Sequence, residues 1–322
     1  MNSRALPNWL IWAVYAGTLL LLSLVLEHCC PWASLRPFIS VGVMIAGGLG
    51  FVLALHGLPI LTALFSLQRK LELAEKTARL SQSIYTGLFP GSREHALQLT
   101  LLAEVLRQQC RFAEAEEAVR QSLSILEAAG GRAESQSALG HDILGALLRD
   151  QDKHAQAVGE GREAVAILDE CLRKTDEKAP DYGRLRRAQA NSCLQLGLSF
   201  NASANPEMAL EYLHRALDLP ADLDQGGRLR ANIFAALAAA YLQLGEFKEA
   251  ECAALSALDL VASPLGAEDE LARARALAAA YAVILQAPGK SSDERLKAQA
   301  MLVEASALRK KWLRPGDPEL RN

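Results

Sequence analysis

The 322 residues are 51% apolar but only 6% aromatic, and 22% are charged, which leaves ample material for a core and excludes a wholly disordered chain. The balance of 34 basic against 37 acidic residues, a net charge of −3, is too even for nucleic-acid binding, which needs a basic stripe or domain. Six cysteines, scattered at 29, 30, 110, 171, 193 and 252, form neither a disulfide framework nor a metal-ligand spacing.

The apolar residues are unevenly spread. No charged residue interrupts Trp9 to Leu26, and a second charge-free run from Pro37 to Gln68 is broken only by His56. About 20 apolar residues span a bilayer as a helix, so both runs suffice. They predict a transmembrane hairpin, with spans at about 9–29 and 38–58 inside an anchor domain of residues 1–68. A cleaved signal peptide is the weaker reading, because no small-residue cleavage site precedes Cys29. Pro59 lacks an amide hydrogen and disfavours helix in the residue before it, which makes Pro59–Leu67 a kinked interfacial continuation.

Arg4 precedes the first span and Arg69, Lys70, Lys76 and Arg79 follow the second, against Arg36 alone between them. Basic flanks face the cytoplasm, so both termini and everything beyond residue 68 are expected there, on the inner membrane if the cell is bacterial. Cys29 and Cys30 would then lie on the far side. Gly42, Ala46, Gly50 and Ala54 recur every four residues, a face that admits the first span or a second copy of the chain.

After Arg69 the composition becomes amphipathic helix, rich in Ala, Leu, Glu and Arg. Residues 69–91 form a connecting and capping segment with a helix over Leu71–Tyr85. From 92 to 312 the sequence repeats. Leu102-Ala103, Leu106, Phe112, Ala115, Val119 and Ser122 return as Leu144-Gly145, Leu148, His154, Ala157, Gly161 and Ala164. They return again as Leu196-Gly197, Phe200, Pro206, Ala209, Leu213 and Ala216, then as Leu237-Ala238, Tyr241, Phe247, Ala250, Ala254 and Ala257. A fifth unit starts at Leu277-Ala278 and Tyr281, is interrupted at Pro288–Ser292, and ends in a last helix to Trp312 before a frayed tail, 313–322. Small residues at fixed offsets are required wherever two antiparallel helices cross closely. The marks Ala115, Ala157, Ala209 and Ala250 lie 42, 52 and 41 residues apart, and the long step contains the charged run Arg173–Pro180. Asn205-Pro206 has the form of an N-cap followed by proline at the first helical position.

This pattern resembles the tetratricopeptide repeat (TPR) family. Units of 40–42 residues are longer than the usual length of about 34 and are similar to those of the kinesin-light-chain subgroup. The resemblance implies an all-α solenoid of about five helical hairpins, in which helix A of each unit lines a concave channel that holds an extended peptide or an amphipathic helix. Carried over by register, the channel presents Leu97, Thr100, Glu104 and Arg107 from unit one, and Asp142, Ala146 and Arg149 from unit two. Unit three offers Asn191, Leu194, Leu198 and Asn201; unit four Asn232, Ala235, Ala239 and Gln243; unit five Arg275, Ala279 and Ala282. The channel grades from charged to apolar, with Leu194 and Leu198 as anchors. Chaperone-binding members grip a terminal carboxylate with lysine and asparagine. The matching positions here are Glu104, Ala146, Leu198, Ala239 and Ala279, so that clamp is absent.

No catalytic constellation, metal site or cofactor motif emerges. Gly159-Glu160-Gly161-Arg162-Glu163-Ala164 matches a dinucleotide fingerprint but falls inside helix B of unit two, without the strand that motif needs. No two of the six histidines pair at i, i+4. The basic trio Arg184, Arg186 and Arg187 opens unit three and reads first as a solvated face. The expectation is a non-enzymatic, membrane-anchored scaffold recruiting a protein partner, without cofactors or nucleic acid. A self-assembling homo-oligomer and a periplasmic handover factor are the alternatives.

Overall fold

The computed structural model describes residues 57–130, 134–224, 227–264 and 266–320. The two charge-free runs, Cys29–Cys30 and the small-residue face lie outside the described residues, apart from positions 57 and beyond. Among the described residues no helix is long and apolar enough to cross a membrane, and no strand occurs.

A helical stretch over residues 57–67 leads into eleven helices. They are α1 (Leu71–Leu88), α2 (Arg93–Gln108), α3 (Phe112–Ala128), α4 (Ser135–Asp150), α5 (His154–Lys174), α6 (Tyr182–Ala202), α7 (Pro206–Leu217), α8 (Arg228–Leu244), α9 (Phe247–Leu260), α10 (Ala267–Gln286) and α11 (Ser292–Trp312). From α2 onward they pair as five antiparallel hairpins, α2/α3 through α10/α11, and the first helix of each also packs on the first helix of the next. The α2, α4, α6, α8, α10 series is therefore an inner layer, and their partners form the outer one. α1 packs on α2 and covers the open end of the series. α11 is the outer helix of the fifth hairpin, paired to α10, so it does not lie across the inner face as a lid.

The repeated small residues sit where hairpins cross. Ala115, Ala157, Ala209 and Ala250 are all fully buried. At Gly197 the approach is tightest: a Cβ there would stand 2.6 Å from Leu213 Cγ, itself fully buried. The inner-to-outer turns are alike in the first four hairpins. Cys110, Asp152, Ala204 and Gly245 all adopt positive φ, at 61°, 62°, 54° and 76°. The next residue in each donates its amide to the carbonyl five positions back (Arg111 to Leu106, Lys153 to Leu148, Asn205 to Phe200, Glu246 to Tyr241), which closes the end of the inner helix.

The additional length of the third step goes largely into helix. α5 and α6 each run 21 residues, against 16 for α4, so Arg173 and Lys174 end α5 and the linker spans only 175–181. Pro206 stands at the start of α7, but Asn205 makes no side-chain cap bond. Ser291 does cap α11, accepting from the Glu294 amide while the Glu294 carboxylate accepts from the Ser291 amide.

Candidate protein-binding channel

The inner layer curls far enough to bring its ends together. Arg69, just before α1, donates Nε to the carbonyl of Trp312 at 3.2 Å and lies 4.0 Å from Glu268 at the start of α10. Inside the curl is a cavity of about 540 Å³ with wall residues from all five inner helices, from Glu104 and Arg107 on α2 to Glu268 on α10.

Seven of the eighteen channel residues expected from sequence line this cavity: Glu104, Arg107, Asp142, Ala146, Asn191, Leu194 and Asn232. Arg107 bridges two units, donating Nε to Glu104 at 3.0 Å and Nη1 to Asp150 on α4 at 2.9 Å. Crowding by protein opposes its charge; Glu104 and Asp150 outweigh that and hold it well above the ordinary arginine range. Arg149 bridges the next pair, donating to the Gln195 side chain at 3.0 Å and its carbonyl at 3.2 Å. No carboxylate among the described residues contacts it directly, and burial lowers its pKa. Arg275 completes the series with a donated bond to Asn232 at 3.3 Å.

Asp142 is 7% exposed and accepts a 2.5 Å hydrogen bond from Ser192, while its other oxygen has no partner among the described residues. Burial pushes its carboxyl up to about 7. A buried polar atom without a partner is costly.

The other expected residues sit differently. Leu97 is half-buried and does not line the cavity. Leu198 is packed into the main hydrophobic cluster rather than the channel, and Leu194, though on the wall, is only 3% exposed and belongs to the same cluster. Neither is a free apolar anchor. Thr100 is turned inward, bonded to Ser122 at 2.7 Å between α2 and α3. The apolar half of the channel is also closed: Ala235 and Ala279 pack against neighbouring core residues.

Sequence reasoning does not assign Arg184, Arg187, Arg228 and Glu268 to the wall. Arg184 and Arg187 are visible there as part of a basic trio, but not as two side chains facing inward. The Gly159–Ala164 match lies within α5. Among the described residues no group of three or more His, Cys, Asp or Glu is placed to hold a metal.

Comparison of the folded chain with solved structures decides the architecture. The nearly identical TPR-like repeats of a Podospora anserina protein of kinesin-light-chain type align over 65% of this chain and 94% of theirs, at 17% identity and a TM-score of 0.50. BtubC (BKLC) from P. vanneervenii aligns over 78% of this chain and 89% of its own, at 19% identity and a TM-score of 0.51. The fold is TPR-like. At these identities the likeness shows the fold alone. No protein-family model matches the chain, and no curated protein matches it. Within a TPR-like solenoid the inner helices form the concave face, so the cavity lies in the channel such folds present.

Proposed function

We propose that this chain is a membrane-held scaffold whose TPR-like channel captures a protein segment. The observation that carries the reading is the composition of the cavity wall. Asn191, Asn232 and Gln195 offer hydrogen bonds on the channel wall, and Arg184, Arg187 and Arg228 add charge to it. A peptide backbone needs hydrogen-bonding groups of this kind.

Membrane attachment rests on the sequence of residues 1–56 and on the apolar surface next to them in the chain. In the stretch 57–67, Ile60, Leu61, Leu64 and Leu67 are exposed, and Leu73 and Leu80 of α1 are exposed beyond them. The stretch is held to the solenoid by Thr62, which donates to Thr77 at 2.9 Å, and by Ser66, which donates to Gln108 at 3.0 Å. An apolar surface at this place suits the membrane interface, with the channel tethered close by on the cytoplasmic side. Tethering then raises the captured partner's concentration at the bilayer.

The test is capture from native membranes with the full chain and with an Arg187→Glu/Asn191→Ala variant. Arg187 is exposed and Asn191 half-buried, so neither change should unfold α6. Loss of one distinct protein with the variant supports the reading. Unchanged capture moves the site off the channel, and recovery of the chain alone favours self-assembly.

A further inference from the structure

Part of the tail after α11 is packed against the solenoid. Leu313 is buried, and residues 317–320 are half-buried, ending in a 3₁₀ turn, Pro318–Leu320. The tail touches both ends of the solenoid. Arg314 lies 4.0 Å from Glu72 on α1, at the rim. Glu319 accepts from Arg275 of α10 through both oxygens, from Nη2 at 2.7 Å and from Nε at 3.2 Å. A two-oxygen arginine–carboxylate pair is a directional contact of the kind used to recognise carboxylates.

The charges around this pair give the contact a purpose. Five arginines, Arg69, Arg107, Arg149, Arg275 and Arg309, form one electrostatic cluster where the two ends of the solenoid meet. Among the described residues the helices and turns answer them with Glu104, Asp150 and Glu268. The tail adds Glu319 on Arg275, while Asp317 accepts from the Glu319 amide at 3.0 Å and burial pushes its carboxyl up. Burial opposes the charge of Glu319; Arg275, with Arg309 and Arg107, outweighs it and holds the carboxyl below its ordinary value. Burial lowers the pKa of Arg309, and its Nε has no hydrogen-bond partner among the described residues. Without the tail Arg275 would lose its carboxylate partner.

We infer that Asp317-Pro318-Glu319-Leu320 covers the Arg275 side of the channel, and that the partner segment which displaces it is acidic, carrying a carboxylate that takes the place of Glu319 on Arg275. This rests on the channel being the partner site and adds the partner's chemistry and its gate. The bound tail lowers the apparent affinity of an incoming segment by the fraction of molecules in which the channel is open.

The test uses the full chain in detergent and, as probe, a labelled peptide of residues 313–322. Three proteins are compared: the wild type, Asp317→Asn/Glu319→Gln, and that double variant with Arg275→Gln added. The peptide is expected to bind the double variant about tenfold more tightly than the wild type, because one competing contact is removed, and to lose that gain with Arg275→Gln. Hydrogen exchange of residues 313–320 provides a readout independent of any ligand. Protection in the wild type, reduced about tenfold in the double variant, supports a docked tail. Free-rate exchange in the wild type overturns the inference, as does equal peptide affinity in wild type and double variant. Absence of peptide binding to either, with helicity intact, overturns the acidic-partner assignment as well. None of these results touches capture through Arg187 and Asn191, which tests the channel reading separately.

Discussion

Asp142 carries the sharpest residue-scale consequence. Its carboxyl titrates near 3.8 when unfolded and is pushed up to about 7 in the fold by burial. Between those values the folded chain keeps a proton that the unfolded chain has released, so stability falls as pH rises from about 4 to 7 and stays low above it. Asp142→Asn retains an oxygen for the Ser192 hydroxyl and removes the buried acid. Thermal melts are expected to converge near pH 4 and to separate by pH 8, with the variant more stable by on the order of 2–4 kcal/mol. Parallel curves at the two pH values would mean that the carboxyl is solvated after all. The residue also shows where sequence is informative. Helical register places Asp142 on the channel wall, but it cannot show that one oxygen is bonded and the other left open, because the Ser192 contact crosses 50 positions of chain.

At the scale of elements, the turns and crossings lend themselves to opposite tests. The shared left-handed turn position is occupied by glycine only in the fourth hairpin, and a non-glycine residue there costs about 1–2 kcal/mol. Ala204→Gly recovers part of that cost, offset by the greater freedom of glycine in the unfolded chain. A net gain of about 0.5–1 kcal/mol is expected from the shift of the denaturation midpoint. Gly197→Ala does the reverse: the new methyl must displace the buried Leu213, at a cost of about 1–3 kcal/mol. A neutral result at Ala204 would remove the strain assigned to the turns, and one at Gly197 would disprove the tight crossing.

These elements are legible because they depend on local spacing. Alanine at 115, 157, 209 and 250 marks the crossings whatever the rest of the chain does, and the longer α5 and α6 leave that phase intact. The fate of Leu194 and Leu198 is not legible. Register gives the direction of a side chain within its unit, but whether the neighbouring helix covers it depends on how closely the next unit packs, which alanine-rich α8 and α10 decide.

For the whole molecule, the contacts that matter join residues from opposite ends of the chain. Arg69 to Trp312 and Arg314 to Glu72 arise from the accumulated rotation of successive repeats, a property no single unit encodes. For that reason the tail's place on the Arg275 side of the channel cannot be read from its proline- and glycine-containing sequence. Orientation belongs to this scale as well. A reporter fused after Asn322 is expected to be active only as a cytoplasmic fusion, and export-dependent activity would place the solenoid on the other side of the membrane.

Capture of a partner in the concave channel of a membrane-held solenoid is tested most directly by crosslinking. A photo-reactive side chain is placed at Asn191 in the cavity wall, with a control at the exposed Glu211 of outer helix α7, both in native membranes. A single protein adduct is expected from Asn191 and none from Glu211. An adduct from Glu211 with none from Asn191 would place the interaction on the outer layer and contradict the channel as the partner site.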